Sequence, residues 1–144
     1  MTDLRVVHTY AAPPEAVFDA FLNPAIARRF LFATPTGEMI RAEVDARVGG
    51  KFTFVDRRPD MGPNGGDVLH TGEYLEIDRP TRLVFTFGVP QFRAEFSTVA
   101  LDFAPAPGGG CVLTLTQSDV APEWAERSRH GWGMILGALE AALP

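Results

Sequence analysis

Cysteine, clustered positive charge and long apolar runs are all scarce in this sequence. Cys111 is the single cysteine, which excludes an internal disulfide and a multi-cysteine metal site. The chain carries 13 basic against 18 acidic residues, a net charge of −5, and its basic runs are no longer than the pairs Arg28–Arg29 and Arg57–Arg58. Because phosphate binding needs clustered Lys and Arg, we expect no nucleic-acid partner.

Apolar segments long enough for a membrane are also lacking. No run approaches the roughly 18 consecutive apolar residues of a membrane-spanning helix. The first residues, MTDLRVVHTYAAPPEAV, do not contain the apolar region of a signal peptide. These observations predict a cytoplasmic protein without membrane insertion.

Familiar catalytic motifs are missing as well. The sequence contains no G-x-S-x-G, no H-E-x-x-H, no P-loop and no G-x-G-x-x-G before a helix. His8, His70 and His130 lie far apart in the chain and have no metal-ligand spacing. We therefore expect neither a metal nor another cofactor.

The chain is long enough for one domain with a substantial core. Its 144 residues, 46% of them hydrophobic and 22% charged, are typical of a globular protein. We assign residues 1–144 to a single domain. The sequence includes 11 phenylalanines, which supply bulky apolar surface without a polar group.

Period-two alternation dominates the middle of the chain. The pattern predicts a strand, two short helices, six strands at hairpin spacing and a long terminal helix. Consecutive strands joined by short turns form antiparallel sheets, so we expect an α+β fold with one sheet face covered by the last helix. The predicted elements are strands over 4–11, 37–50, 51–58, 68–78, 82–89, 95–105 and 111–119, short helices within 12–24 and 25–32, and a helix over about 121–143.

The last helix has an apolar face and three glycines. Its predicted sheet-facing residues are Trp124, Ser128, Trp132, Ile135, Leu136, Leu139 and Leu143. Gly131 lies at the edge of this face, where a glycine could admit a bulky ring or a ligand. Gly133, Gly137 and Ala141 form a stripe of small residues on another side. This stripe could admit the short helices or a second subunit in a homodimer, or tertiary packing could simply tolerate the glycines.

Several segments together resemble a known family. They read YAAPPEAVFDAFLNP, GGKFTF, TGEYLEIDRPTRLVFTF, STVALDFAPAPGGGCVLTLTQSD and HGWGMILGALEAAL. In these segments the chain resembles the activator-of-heat-shock-protein-90-ATPase homologue family of the START-like (helix-grip, SRPBCC) superfamily. The resemblance implies a curved antiparallel sheet of six to seven strands around a long C-terminal helix, with an apolar cavity between them. Phe30 and Phe87 stand where the family often has tryptophan, which implies a drier cavity here.

The aromatic residues on the strands and the last helix are candidates for a ligand-binding cavity. A curved sheet has more concave surface than one helix fills, so aromatic side chains or a ligand must occupy the rest. The alternative is that each of these residues belongs to an ordinary core. The predicted ligand-binding residues are Phe30, Phe52, Phe54, Phe85, Phe87, Phe96, Trp132 and Leu136.

His70 and Tyr74 are weak catalytic candidates. Both point to one face of their strand, and Glu73 points to the other. On a cavity wall the pair could orient a ligand oxygen or act in acid–base chemistry. The alternative is an exposed strand face with ordinary polar residues. We also expect the 57–67 loop to gate the cavity mouth, and Arg93 and Glu95 to lie at its rim.

Three classes of function fit these patterns. The first is binding of a small hydrophobic molecule, lipid-like, aromatic or polyketide-like, in the cavity. The second is an enzyme of the cyclase, dehydratase or hydrolase type that uses the same cavity. The third is a protein-interaction domain similar to a co-chaperone, since fold alone does not determine function. We favour small-molecule binding.

Overall fold

The computed structural model describes residues 2–33, 37–58, 66–92 and 94–143. Within them, seven strands form one antiparallel sheet in the order β1-β7-β6-β5-β4-β3-β2. Sequential strands pair with each other from β2 to β7, whereas β1 crosses over to pair with β7. The strands are β1 Thr2–Tyr10, β2 Glu38–Val44, β3 Lys51–Arg57, β4 Asp67–Asp78, β5 Arg82–Phe87, β6 Ser97–Ala106 and β7 Gly110–Val120.

Two short helices follow β1. Helix α1 spans Pro14–Leu22, with proline in its first turn, where the missing N–H breaks no helical hydrogen bond. Asn23 separates α1 from α2, Pro24–Ala27, and its side chain accepts a hydrogen bond from the Ala25 N–H as the N-cap of α2. The apolar face of α1, including Phe18 and Phe21, is buried against the sheet.

Helix α3, Ala125–Ala142, packs on the concave side of the sheet. A 3₁₀ turn, Pro122–Trp124, precedes it. Its buried residues are Trp132, Leu136, Leu139 and Ala142. The Tyr10 hydroxyl donates a hydrogen bond of 2.7 Å to the Leu136 carbonyl, which joins β1 to α3. No described helix is both long and apolar enough to cross a bilayer.

The predicted helix-grip fold is confirmed, with differences at element ends. The strand predicted over 37–50 ends at Val44 because the chain turns before β3. At this turn Gly49 has φ +85°, and a Cβ on Gly50 would lie 2.2 Å from the Asp45 carbonyl oxygen. Glycine is therefore required at both positions.

The stripe of Gly133, Gly137 and Ala141 faces outward. All three residues are exposed, and no described atom beyond the helix itself lies within 4 Å of a Cβ built on either glycine. The expectation that the short helices approach this stripe is therefore wrong, because they pack at another part of the sheet. Contact with a second subunit stays a prediction.

Candidate functional site

A pocket of about 530 Å³ lies between the sheet and α3. We call it the helix–sheet pocket. Its size falls within the range of small-molecule sites, and most of its lining is aromatic or aliphatic. It is lined by Phe32, Ala33, Arg58, His70, Phe87, Val89, Phe92, Trp124, Arg127, Ser128, Gly131, Trp132, Met134 and Ile135.

Phe32 is the central aromatic side chain of this lining. Its ring stacks on His70, with 4.6 Å between centroids, and on Phe87, with 4.9 Å. It also meets the Trp132 ring edge-on at 5.7 Å. The backbone of Phe32 has φ +61°, a left-handed conformation that residues other than Gly, Asn and Asp rarely adopt. Such conformations persist where surrounding contacts hold them and cluster at functional sites.

A chain of hydrogen bonds fixes the Trp132 ring. Its indole N–H donates to Gln117 Oε1 at 2.8 Å, and Gln117 Nε2 donates to Ser97 Oγ at 2.7 Å. Ser97 Oγ in turn donates to the Phe87 carbonyl at 3.4 Å. Both Trp132 and Gln117 are buried. The ring therefore presents its apolar surface to the pocket while its one polar group is satisfied by the sheet.

Polar side chains gather where β3 meets β4. Arg58 Nε donates to Asp56 Oδ2 at 2.9 Å, and the Asp56 side chain is only 1% exposed. His70 Nδ1 lies 3.4 Å from the Phe54 carbonyl oxygen. Burial, and then the nearby charge of Arg58, lower the pKa of His70 to about 4, so its ring is neutral at pH 7. A neutral imidazole and a guanidinium thus share one end of the helix–sheet pocket.

A smaller pocket of about 120 Å³ adjoins the first. The two share Phe87, Val89, Phe92, Trp124 and Ser128 as lining residues. Glu95 and Asp119 line only the smaller one, which we call the acidic pocket. Glu95 thus lines the adjoining pocket, and its expected place at the rim of the helix–sheet pocket stays a prediction. Arg93 and residues 59–65, the centre of the expected gating loop, lie outside the described residues.

The predicted ligand-binding residues divide into those that line the helix–sheet pocket and those that do not. Phe87 and Trp132 line it. Phe52, Phe54 and Phe85 are buried in the core around them.

The remaining three predicted residues lie elsewhere. Phe30 is fully buried against Phe21, edge-on at 5.2 Å, next to the short helices. Leu136 is fully buried in the core. The expected place of Phe96 in the cavity needs correction, because its side chain is 42% exposed. It precedes Ser97, which points inward, so Phe96 points outward and its ring covers Gly88.

His70 and Tyr74 both lie on the buried face of β4, as expected from period two. The alternative of an exposed polar strand face is therefore wrong. The two side chains nevertheless face different surroundings. His70 lines the helix–sheet pocket, whereas Tyr74 contacts Phe52 and Phe85 in the core, where burial raises the pKa of its hydroxyl. They do not form a pair in the pocket.

Sequence reasoning missed Phe32, Gln117 and Phe92 as residues of this region. Gln117 carried a usable signal, because it interrupts the inward apolar series of Leu113 and Leu115 at period two. A polar residue at such a position needs a buried partner, which here is Trp132. Phe32 carried no such signal, since its place depends on a left-handed turn after α2.

Comparison with known proteins gives the same fold. Residues 11–144 match the family described as Activator of Hsp90 ATPase homolog 1-like protein. Protein CV1439 from Chromobacterium violaceum is 26% identical with a TM-score of 0.86, covering 99% of this chain and 98% of that one. Protein NE0264 from Nitrosomonas europaea is 24% identical with a TM-score of 0.79, covering 97% and 92%. The AHSA1-like protein from Aeromonas hydrophila is 24% identical with a TM-score of 0.75, covering 96% and 91%. No curated protein matches the chain significantly.

Proposed function

The chain belongs to the family of Activator of Hsp90 ATPase homolog 1-like proteins, and from this premise we propose that it binds a small hydrophobic molecule in the helix–sheet pocket. One observation carries the proposal. A space of about 530 Å³ with a mainly aromatic and aliphatic lining lies between the sheet and α3. Transfer of apolar ligand surface from water into such a space is favourable by about 25 cal/mol per Å².

The arrangement of Trp132 and Phe32 also supports binding. Both rings are held in place, Trp132 by its hydrogen bond to Gln117 and Phe32 by stacking on His70 and Phe87. A preorganised wall loses little conformational freedom when a ligand arrives. Phe92 and Met134, each 51% exposed, extend the apolar surface outward from the pocket.

At Gly131 a larger side chain would fill the pocket without weakening the fold, which allows a test of the proposal. It lines the helix–sheet pocket, and a Cβ built there has no described atom within 4 Å. In Gly131→Leu the new side chain occupies ligand space, and replacement of a helical glycine stabilises α3 by up to about 1 kcal/mol. Gly137→Leu is the matched control, because Gly137 is equally unobstructed but exposed and outside the pocket.

The experiment measures binding of the uncharged probe N-phenyl-1-naphthylamine, which is detected through energy transfer from tryptophan to the probe. Both tryptophans of the chain, Trp124 and Trp132, line the pocket and serve as donors. We expect Gly131→Leu to weaken binding at least tenfold and Gly137→Leu to bind as the wild type does. Equal affinity of the wild type and Gly131→Leu, or no binding to the wild type, would contradict the proposal.

A second candidate function is acid–base catalysis on a molecule held in the same pocket. The observation in its favour is that His70 lines the pocket in a neutral form. Its pKa of about 4 makes it a weak base near pH 7, since efficient general bases have pKa values close to the working pH. Binding is therefore the function that the geometry supports best.

A further inference from the structure

Ionisable side chains are divided unevenly between the two adjoining pockets. The described residues that line the helix–sheet pocket include Arg58, Arg127 and His70 but no Asp or Glu. The carboxylates of Glu95 and Asp119 line the acidic pocket instead. A ligand in the helix–sheet pocket thus meets basic side chains. The carboxylates lie in the adjoining acidic pocket.

Arg58 is held in place with part of its guanidinium available. Its backbone N–H donates to the Gly66 carbonyl at 2.9 Å, which fixes the chain just after β3. Its Nε donates to the buried Asp56 carboxylate, and its side chain is 26% exposed. Its two terminal nitrogens, Nη1 and Nη2, donate to no residue in the part of the chain that the structure describes. These two nitrogens form the end of the guanidinium that binds carboxylates in parallel pairs.

Among the described residues, positive charge exceeds negative charge along the lining of the helix–sheet pocket. Arg58 and Arg127 carry two positive charges, and Asp56 supplies one negative charge beside Arg58. The Arg127 guanidinium lies 4.6 Å above the Trp124 ring, so it extends the positive side of the pocket along α3. A carboxylate taken into an apolar pocket without a cation would lose its hydration uncompensated. The Arg58 guanidinium, which lines this pocket, is the described cation nearest to Asp56 and His70 that could compensate it.

We propose that the ligand of the helix–sheet pocket is an amphipathic carboxylic acid whose carboxylate binds Nη1 and Nη2 of Arg58. Its aliphatic or aromatic body packs on Phe87, Trp132 and Ile135. This inference rests on the proposed function, because it names the class of molecule that the same pocket binds. In the opposite orientation the head group would enter the acidic pocket, beside the Asp119 carboxylate.

The first test compares three ligands that differ only in the head group: decanoic acid, 1-decanol and decylamine. Binding to the wild-type protein is measured at pH 7.5 by displacement of N-phenyl-1-naphthylamine. We expect the acid to bind at least tenfold more tightly than the alcohol and the amine to bind most weakly. Equal affinity for acid and alcohol would overturn the inference and leave the proposed function intact. If neither the probe nor any of the three ligands bound, both would fail.

The second test removes the charge of Arg58 together with that of Asp56. Arg58→Gln alone would take a guanidinium away from a buried carboxylate and risk unfolding. The double variant Asp56→Asn/Arg58→Gln leaves the net charge unchanged. The matched control is Arg57→Gln/Asp67→Asn, which neutralises an exposed ion pair between β3 and β4 with the same charge balance.

The double variant at Asp56 and Arg58 should bind acid and alcohol within threefold of each other. The control at Arg57 and Asp67 should keep the full preference for the acid. Retention of that preference in the first double variant would overturn the inference. If that variant does not fold, Arg58→Lys takes its place. It keeps the charge but lacks the forked donors, so the preference should fall at least threefold, and an unchanged preference would overturn the inference.

Discussion

The indole N–H of Trp132 donates a hydrogen bond of 2.8 Å to the side-chain oxygen of Gln117. The bond joins α3 to β7 across the core, and both residues are buried. It therefore orients one of the two indole rings that line the helix–sheet pocket and holds the helix to the sheet at the same point.

Loss of this hydrogen bond should destabilise the fold. Trp132→Phe keeps an aromatic ring but leaves Gln117 Oε1 buried without its indole donor, so we expect a loss of about 2–3 kcal/mol in the free energy of unfolding. Urea denaturation followed by circular dichroism measures it. Trp132→Phe/Gln117→Leu removes both polar groups and should be more stable than the sum of the single variants predicts. Additive losses would contradict the coupling.

Stability should fall below neutral pH because His70 is buried in its neutral form. Its pKa is about 4 in the folded protein and about 6.5 in the unfolded chain, so between these values only the unfolded chain takes up the proton. Above pH 6.5 His70 therefore costs no stability. As the pH falls from 6.5 toward 4, the free energy of unfolding decreases because protonation favours the unfolded chain. At pH 4.5 we expect His70 alone to cost about 2–3 kcal/mol relative to pH 7.5.

Replacement of His70 by glutamine isolates this contribution. Urea unfolding at pH 7.5, 5.5 and 4.5 should show a smaller decline in His70→Gln than in the wild type. His130→Gln is the control, because it removes an exposed histidine at the start of α3. Parallel declines in His70→Gln and the wild type would show that the His70 ring takes up protons equally in both states.

Gly72 should tolerate no side chain. A Cβ at this position would lie 1.7 Å from the Thr86 carbonyl oxygen and 2.8 Å from the Phe52 ring. Because the nearer atom belongs to the backbone of β5, Gly72→Ala should cost about 3 kcal/mol or more. In Gly137→Ala, where the built Cβ has open space, we expect a gain of up to about 1 kcal/mol. Thermal unfolding of both variants compares the two directly.

The Tyr10 hydroxyl should contribute to the attachment of α3. It donates to the Leu136 carbonyl at 2.7 Å inside the core, where a neutral hydrogen bond is worth about 0.5–1.5 kcal/mol. Tyr10→Phe removes only this oxygen, so the free energy of unfolding should fall by about that amount. Hydrogen exchange of the amides of α3 should accelerate in the same variant. Unchanged exchange there would show that the bond does not hold the helix.

The order of elements could be predicted from the sequence because alternation and helical spacing are local patterns. Phe52 and Phe54 on β3 showed period two, and Trp132 and Leu136 showed the inward face of α3. The composition of the site could not be predicted equally well. The pocket depends on which rings meet across the sheet. Phe32 reaches His70 and Phe87 only through a left-handed backbone conformation that no local sequence pattern predicts.

Phe30 and Phe32 illustrate where periodicity fails to predict the placement of a side chain. They are separated by one residue in a segment that sequence reasoning treated as helical throughout. In the structure α2 ends at Ala27, and the irregular chain after it sends Phe30 against Phe21 and Phe32 into the pocket. Periodicity assigns faces only within regular elements, so it cannot assign a residue that follows the end of one.

Because β1 pairs with β7, we expect the sheet to be completed late in folding. Tyr10 lies opposite Cys111, so β1 can pair only after the chain has reached β7. The strands β2 to β7 can instead pair as successive hairpins. Loop-closure entropy is paid before such a distant contact forms, which slows folding. Until β7 is available, β1 is unpaired along both edges, and its Tyr10 is not yet held in the sheet beside α3. A pulse-labelling experiment should therefore find β3 and β4 protected before β1.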